Sequence, residues 1–213
     1  MSKVITKTEV RLSYTNLLAP RQRDAEHPDE MVYSTAVLIP KADKDTVAKI
    51  KAAIKEALVE GTAKKWGGKT PTNLKNPLRD GDTDRPDDEV YKDHWFINAK
   101  GPTGGKEQPI MLDKKGAVTS DPAVIYSGVN ARVALQFYTF DVNGNRGVAC
   151  GVSSIISSET GEPLGNIVTA DSARSDFGIS TPAADAAKEF SGSSSASAEA
   201  SAAEDDDSDV WGS

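Results

Sequence analysis

The strongest secondary-structure signal in this chain is a pair of long β segments in its second half. Residues 124–142 and 145–157 are rich in β-branched and aromatic residues, and Asn143-Gly144 between them is a dipeptide typical of a tight turn. On the first segment, Leu135 and Phe137 fall on the same face and are predicted to lie in the core. The sequence therefore predicts a long β-hairpin in a mainly β fold.

Further β segments precede this hairpin. Residues 4–14 alternate with period two, which predicts one long half-buried strand with Val4, Leu12 and Tyr14 on the same face. A polar loop is predicted between this strand and a second one at Met31 to Ile39, which is rich in β-branched and aromatic residues.

Two shorter apolar segments follow later in the chain. His94 to Ala99 and Pro109 to Leu112 have strand composition and are separated by a loop rich in glycine and lysine. We expect these two strands to pair with each other.

One amphipathic helix is predicted between the second strand and the middle of the chain. Apolar residues recur at helical spacing from Val47 to Leu58. Asp43 or Asp45 can cap its beginning, and Gly61 stands where a carboxyl-terminal glycine is expected.

The order of these elements limits the fold class. Five or six strands with one helix, and no alternation of strands and helices, point to a small antiparallel barrel or sandwich. We predict an OB-like antiparallel β-barrel with one amphipathic helix, formed by residues 1–180 as one domain of ordinary size.

Residues 181–213 differ sharply from this predicted domain in composition. Residues 1–180 hold 24 Lys/Arg and 24 Asp/Glu, whereas residues 181–213 hold Lys188 and eight acidic residues, so the net charge of −7 belongs to the carboxyl-terminal segment. Its Ser/Ala-rich composition predicts a disordered acidic tail, because such a segment cannot bury enough apolar surface to offset chain entropy. A terminal run of like charges with an aromatic residue is typical of an interaction tail, and the residues predicted to bind partners are Glu204, Asp205, Asp206, Asp207, Asp209 and Trp211.

Cysteine content and hydropathy restrict the cellular setting. Cys150 is the single cysteine, so the sequence offers no disulfide framework and no zinc-ligand spacing. The amino terminus lacks the pattern of a signal peptide, and no apolar run approaches the roughly 20 residues of a membrane span. We expect a soluble cytoplasmic protein, and a homo-oligomer is compatible with the sequence.

An acidic cluster lies in the long polar segment 67–92, where a functional site is expected because long loops are often functional. Asp80 to Glu89 contains six carboxylates, which in principle suit Mg²⁺ or Ca²⁺, although the cluster lacks the pattern of a calcium loop. A solvated surface loop is the plainer interpretation. Because no nucleophile signature or paired catalytic residues are visible, the sequence predicts neither an enzyme nor a cofactor.

Aromatic and cationic residues are distributed as single-stranded nucleic-acid binding requires, since bases stack on aromatic faces and phosphates pair with cations. Trp66, Tyr91 and Tyr138 are predicted to be the least buried aromatic residues. The candidate stacking residues are Tyr14, Tyr33, Trp66, Tyr91, Trp95, Tyr126 and Tyr138, and the candidate phosphate contacts are Arg11, Lys65, Lys69, Arg79, Lys100, Arg132 and Arg146. Because the body is formally neutral, the distribution of its cations must supply the affinity, and we expect the acidic tail to compete with DNA for them.

Four stretches carry a resemblance to a known family: Asn76-Pro-Leu-Arg-Asp-Gly-Asp82, Tyr91 to Ala99, Ile125-Tyr-Ser-Gly128 and Asn143-Gly-Asn-Arg-Gly147. In this order they resemble bacteriophage single-stranded DNA-binding proteins with an OB-fold. The resemblance implies sequence-independent binding and protection of single-stranded DNA without catalysis, in phage replication or recombination inside an infected bacterial host. It also implies that the acidic tail recruits replication or recombination proteins.

Two other functions remain open from the residues. One is a metal-dependent nuclease that uses the Asp80 to Glu89 cluster. The other is a virion or protein-interaction module that binds no nucleic acid.

Overall fold

Eight β-strands and one long helix dominate the part of the chain that the structure describes. The structure is a computed structural model and describes residues 2–25, 27–142, 144–165 and 176–178. Contacts divide the chain into the units Met1–Ile167 and Val168–Ser213, and all named elements belong to the first. The elements are β1 (Ser2–Ile5), β2 (Val10–Asp24), β3 (His27–Pro40), α1 (Lys44–Lys64), β4 (Leu78–Asp80), the helical turn α2 (Gly81–Asp84), a 3-10 turn (Glu89–Tyr91), β5 (His94–Lys100), the helical turn α3 (Pro102–Gly105), β6 (Ile110–Leu112), β7 (Asn130–Val142) and β8 (Asn145–Ser157).

Five of the strands close into a barrel. The pairing runs β7, β2, β3, β5 and β8, and β8 pairs again with β7 to complete the ring. Every pair in this ring is antiparallel except β5 with β8, which is parallel. The predicted OB-like barrel is therefore confirmed. Among the described helices, none has the length and apolar character needed to cross a membrane.

The structure has two strands, β1 and β2, where the sequence predicted one long strand over residues 4–14. The prediction of a single strand is therefore wrong. The chain leaves the sheet between β1 and β2, where Thr6 exchanges hydrogen bonds with Val133: its backbone N–H donates to the Val133 carbonyl at 3.1 Å, and its Oγ1 accepts from the Val133 N–H at 3.0 Å. Among the described strands, β1 pairs with β7 alone, whereas β2 enters the barrel between β7 and β3.

The prediction of a polar loop between the first two strands is also wrong over most of the predicted length. β2 continues to Asp24 and β3 begins at His27, so the two strands form a long hairpin. The sequence shows no alternation of apolar and polar residues there, because both faces of the outer hairpin carry polar side chains that remain wholly or partly exposed.

The helix is confirmed, and it extends beyond the predicted end. Asp43 caps α1, and its side chain accepts a hydrogen bond from the Thr46 N–H at 3.1 Å. Gly61 lies inside the helix, which continues to Lys64, instead of ending it. A Cβ at this position would stand 2.4 Å from Cγ2 of Thr139. Glycine is thus required here for close packing of α1 on β7 and not for the helix end.

The two short strands do not pair with each other, which corrects the prediction. β5 lies between β3 and β8 and pairs with the middle of β8, whereas β6 pairs in parallel with β8 near its carboxyl end. Both therefore meet the same partner strand, a long-range arrangement that the local sequence pattern does not specify.

The late hairpin is confirmed from Asn130 onward. Residues 124–129 form turns before β7, and Gly128 adopts φ +105° with its Cα so close to the Glu162 carbonyl that a Cβ would lie 2.1 Å from it.

Phe137 is fully buried, as predicted, in a main core that also contains Leu12, Val37 and Ile97. A second, smaller core of Ala36, Leu38, Tyr91 and Phe96 lies on the other side of β3 and β5.

Candidate nucleic-acid interface

One row of residues crosses all five barrel strands on the face turned away from the main core. Asn16 pairs with Ser34, Ser34 with Lys100, Lys100 with Gly151 and Gly151 with Gln136. Directly paired residues project from the same face of a sheet. Along β5, Ile97 and Ala99 are fully buried in the main core and alternate with Asn98 and Lys100, so the row that contains Lys100 belongs to the outer face.

A groove of about 690 Å³ follows this face over β5, β7 and β8 and reaches the β2–β3 hairpin. Arg23, Lys75, Arg79 and Lys100 bring four permanent cations to it, and His27 adds an imidazole. None of the described residues that line it is Asp or Glu. The groove therefore concentrates positive charge on a domain whose sequence is formally neutral.

Two of these cations are oriented by carboxylates outside the lining. Arg23 forms an ion pair with Glu30, and the Arg79 Nε lies 2.7 Å from Asp84 Oδ2. Both pairs are partly exposed, so solvent screens their charges, and their main effect is to orient the arginines.

Tyr138 and Phe140 supply aromatic surface to the groove from β7. Burial raises the pKa of the Tyr138 hydroxyl, so this side chain stays neutral beside a phosphate at ordinary pH. Gly151 lies diagonally across the ladder from Tyr138, which pairs with Ala149, and a Cβ added at Gly151 would stand 3.7 Å from the Tyr138 ring. The absence of a side chain at Gly151 leaves room beside the ring. Cations with aromatic faces between them match the phosphates and bases of a single strand.

The family model for "Enterobacter phage Enc34, ssDNA-binding protein" matches residues 2–191. The chain belongs to this family. A curated relative, putative protein p50 of Acyrthosiphon pisum secondary endosymbiont phage 1, is 29% identical over 161 residues, which cover 71% of this chain and 80% of that protein.

Solved structures agree with the membership in the Enc34 family. The single-stranded DNA-binding protein from bacteriophage Enc34 in complex with ssDNA is 25% identical, with a TM-score of 0.60 over 76% of this chain and 88% of that one. The gp2.5 single-stranded DNA-binding protein of bacteriophage T7 is 16% identical, with a TM-score of 0.52 over 79% of this chain and 98% of that one. The T7 likeness is a likeness of fold.

In this Enc34-family chain, the groove brings together three of the predicted site residues, Arg79, Lys100 and Tyr138. Tyr14 lies in an adjoining cleft of about 410 Å³, which shares Asn98 with the groove. These four residues come from β2, β4, β5 and β7, so the fold assembles them from distant parts of the sequence.

Four more predicted residues gather in a separate depression of about 390 Å³: Lys65, Trp66, Lys69 and Arg146. Lys65 donates a hydrogen bond to the Thr139 carbonyl, and the Arg146 Nε lies 2.9 Å from Asp141 Oδ2. Trp66 is half-buried, and its Nε1 has no hydrogen-bond partner among the described residues. This depression is a second cationic and aromatic surface.

Other predicted residues lie away from the groove. The Arg11 Nη2 donates to the Glu162 carbonyl at 2.8 Å, and the Tyr126 hydroxyl donates to the Gly161 carbonyl at 2.9 Å, so both hold the segment after β8. Arg132 is exposed in a depression that it shares with Lys114. Tyr33 is half-buried beside α3, where a Cβ added at Gly101 would lie 3.1 Å from the Tyr33 Cβ.

Tyr91 is 1% exposed, so the expectation that it is among the least buried aromatic residues is wrong. Its ring packs edge-on against Phe96 in the second core, with 5.0 Å between the centroids, and burial raises the pKa of its hydroxyl. A base cannot stack on it without opening this core. Trp95 is half-buried against the main core, with the Lys41 Nζ 5.4 Å and the Lys51 Nζ 5.1 Å from its ring centroid.

Several residues of the groove and cleft escaped the sequence analysis. Arg21, Arg23 and His27 fall in the predicted polar loop, which the structure shows to be the β2–β3 hairpin. Lys75 follows the glycine-rich segment after α1, and its backbone pairs with Gly147. Period-two spacing of Arg21 and Arg23 is the signal that could have revealed the hairpin arm.

The acidic cluster is occupied by local contacts. Asp80 and Asp82 both form ion pairs with Lys41. The hydrogen bond that Lys41 donates to Asp82 lowers the pKa of the Asp82 carboxyl. The Asp88 side chain accepts from the Val90 N–H at 3.2 Å and caps the 3-10 turn. Within the described residues, no group of three or more His, Cys, Asp or Glu is placed to hold a metal ion.

The predicted partner-binding residues of the tail, from Glu204 to Trp211, lie outside the described residues.

Proposed function

We propose that this protein binds and protects single-stranded DNA without strong dependence on sequence. Arg79 and Lys100 contact phosphates in the groove, and Tyr138 stacks against a base. The observation that carries the proposal is the groove itself, which is lined by cations and aromatic rings in a member of the Enc34 family. The solved structure of the Enc34 relative is a complex with ssDNA, which supports the same ligand here.

The second depression, with Lys65, Trp66, Lys69 and Arg146, extends the proposed path of the strand. Stacking and phosphate contacts require no base-specific hydrogen bonds, so we propose a coating role in phage replication or recombination in the bacterial cytoplasm. No catalytic step is part of this role.

Fluorescence anisotropy of a labelled oligo(dT) tests the proposal, with double-stranded DNA as competitor and at two salt concentrations. We expect tight binding that weakens with salt and resists the duplex competitor. Absence of binding would favour the protein-interaction module, and loss of full-length oligonucleotide on addition of Mg²⁺ would favour the nuclease.

We further propose that residues 181–213 form an acidic tail that competes with DNA for the groove and recruits replication or recombination proteins. The support is the charge distribution of the sequence, with eight acidic residues and one lysine in this segment. A truncation after Ser180 should bind oligo(dT) more tightly than the full chain at low salt. Equal affinities would argue against the competition.

A further inference from the structure

Tyr14 combines two properties that rarely occur together in a β-strand. The residue is 57% exposed, and its backbone φ is +47°, in the left-handed region that bulky residues seldom adopt. Such a conformation persists only where the surrounding structure enforces it, and it is concentrated at functional sites. The contacts around Tyr14 must therefore hold it in this conformation.

A β-bulge enforces this conformation. Ser13 pairs with Ala36 and Asn16 with Ser34, so β2 has one more residue than β3 across this interval. The bulge is held by hydrogen bonds from the Thr15 N–H to Ser127 Oγ at 2.9 Å and from Asn16 Nδ2 to the Tyr14 carbonyl at 2.9 Å. Bulges reorient side chains next to functional sites, and here the bulge turns Tyr14 to the outer face while Leu12 remains fully buried.

Arg85 holds the Tyr14 ring from the side of the second core. Its guanidinium carbon lies 5.5 Å from the Tyr14 ring centroid, and its Nη1 donates to the Tyr14 hydroxyl at 3.4 Å. The same carbon lies 4.9 Å from the centroid of the buried Tyr91 ring. Arg85 thus connects an exposed aromatic residue to the buried second core, and Tyr14 remains more than half exposed to solvent.

The cleft beside Tyr14 has the chemistry of a nucleobase site. Its volume of about 410 Å³ lies in the range of ligand clefts, and its rim includes the amides of Asn16 and Asn98 and the guanidinium of Arg21. Amides both donate and accept hydrogen bonds, as base edges do. Arg21 is itself fixed, since its Nε donates to Ser34 Oγ at 3.2 Å and its Nη1 to the Gln22 carbonyl at 3.0 Å. Because Asn98 also lines the groove, a strand can enter both.

We propose that this cleft is a nucleobase-binding subsite in which one base stacks on Tyr14, with Arg85 as a positioning residue that holds the ring. The proposal rests on the proposed function, since the groove must first bind the strand. It assigns to the Tyr14 bulge a binding role separate from the phosphate contacts of the groove.

The test compares the full chain and its variants on two labelled oligonucleotides of equal length, one of thymidines and one of abasic deoxyribose phosphates. Tyr14→Leu should weaken binding to the thymidine strand roughly 5- to 100-fold and leave binding to the abasic strand unchanged, because stacking requires a base. Tyr14→Phe is the matched control and should bind within about twofold of the wild type, since the ring remains. Thermal unfolding of each variant verifies that it folds.

Arg85→Lys tests the positioning role, because it keeps the charge and loses the planar guanidinium. We expect weaker binding to the thymidine strand only, together with reduced quenching of a 2-aminopurine base in that strand. If Tyr14→Leu weakens binding to both strands equally, or to neither, the subsite is refuted while the coating role stands. If the wild-type chain does not bind the thymidine strand, the proposed function itself fails.

Discussion

Replacing Lys75 and Lys100 with glutamine removes two of the four lysine and arginine side chains that line the groove. Lys75 is exposed, and Lys100 is half-buried at the centre of the outer row, so neither change opens the core. Both residues keep a long polar side chain. The double variant should therefore fold normally and lose two phosphate contacts.

The expected magnitude follows from counterion release. Each phosphate contact contributes about 0.7 to the slope of log affinity against log salt for a single strand. Loss of two contacts should lower this slope by about 1.4. Between about 50 and about 200 mM salt, the wild-type affinity should then fall about sevenfold more than that of the double variant.

The assay is anisotropy of labelled oligo(dT) across that salt range, with Lys44→Gln/Lys49→Gln as the matched control. Lys44 and Lys49 are exposed on α1 and do not line the groove, so their removal changes the net charge equally without touching the proposed path. We expect the control to keep the wild-type slope. Equal slopes for the two double variants would contradict the placement of phosphates at Lys75 and Lys100.

Three further predictions concern stability and reactivity. Gly61→Ala should lower the free energy of unfolding by about 1–3 kcal/mol in urea, because the new Cβ overlaps Thr139, and a gain in stability would contradict this packing. Cys150 is 2% exposed and burial raises the pKa of its thiol, so a thiol reagent at mildly alkaline pH should label it only after unfolding, and rapid labelling of the folded chain would contradict this. The hydrogen bond from Lys41 lowers the pKa of Asp82, so the contribution of this pair to stability is present above about pH 4 and disappears as the pH falls. The difference in Tm between the wild type and Asp82→Asn should therefore narrow on acidification, and a constant difference would contradict this role of the pair.

The parts of the fold that the sequence predicted well depend on local patterns. The late hairpin follows from its β-rich segments and the Asn143-Gly144 dipeptide, and α1 follows from its helical spacing and the Asp43 cap. The burial of Phe137 follows from its position beside apolar neighbours on one face. Each of these signals lies within a short stretch of chain, where propensity and periodicity act.

The parts that were missed depend on distant contacts. The parallel pairing of β5 with β8 joins residues about fifty positions apart, and no local pattern specifies it. The bulge at Tyr14 adds one residue to β2 and thereby changes which side chains face outward, which a strict period of two cannot represent. Tyr91 follows an acidic loop and resembles a surface residue, yet Phe96 and Leu38 enclose it in the second core.

The central claim is that single-stranded DNA lies across the outer face of the barrel. Photo-crosslinking of the full chain to an oligonucleotide that carries 5-iodouracil, followed by peptide mass spectrometry, tests this placement directly, because the halogenated base reacts with aromatic side chains that it contacts. We predict crosslinks at Tyr138 and Tyr14, on the groove and its adjoining cleft. Crosslinks confined to other surfaces, with neither residue labelled, would contradict the claim.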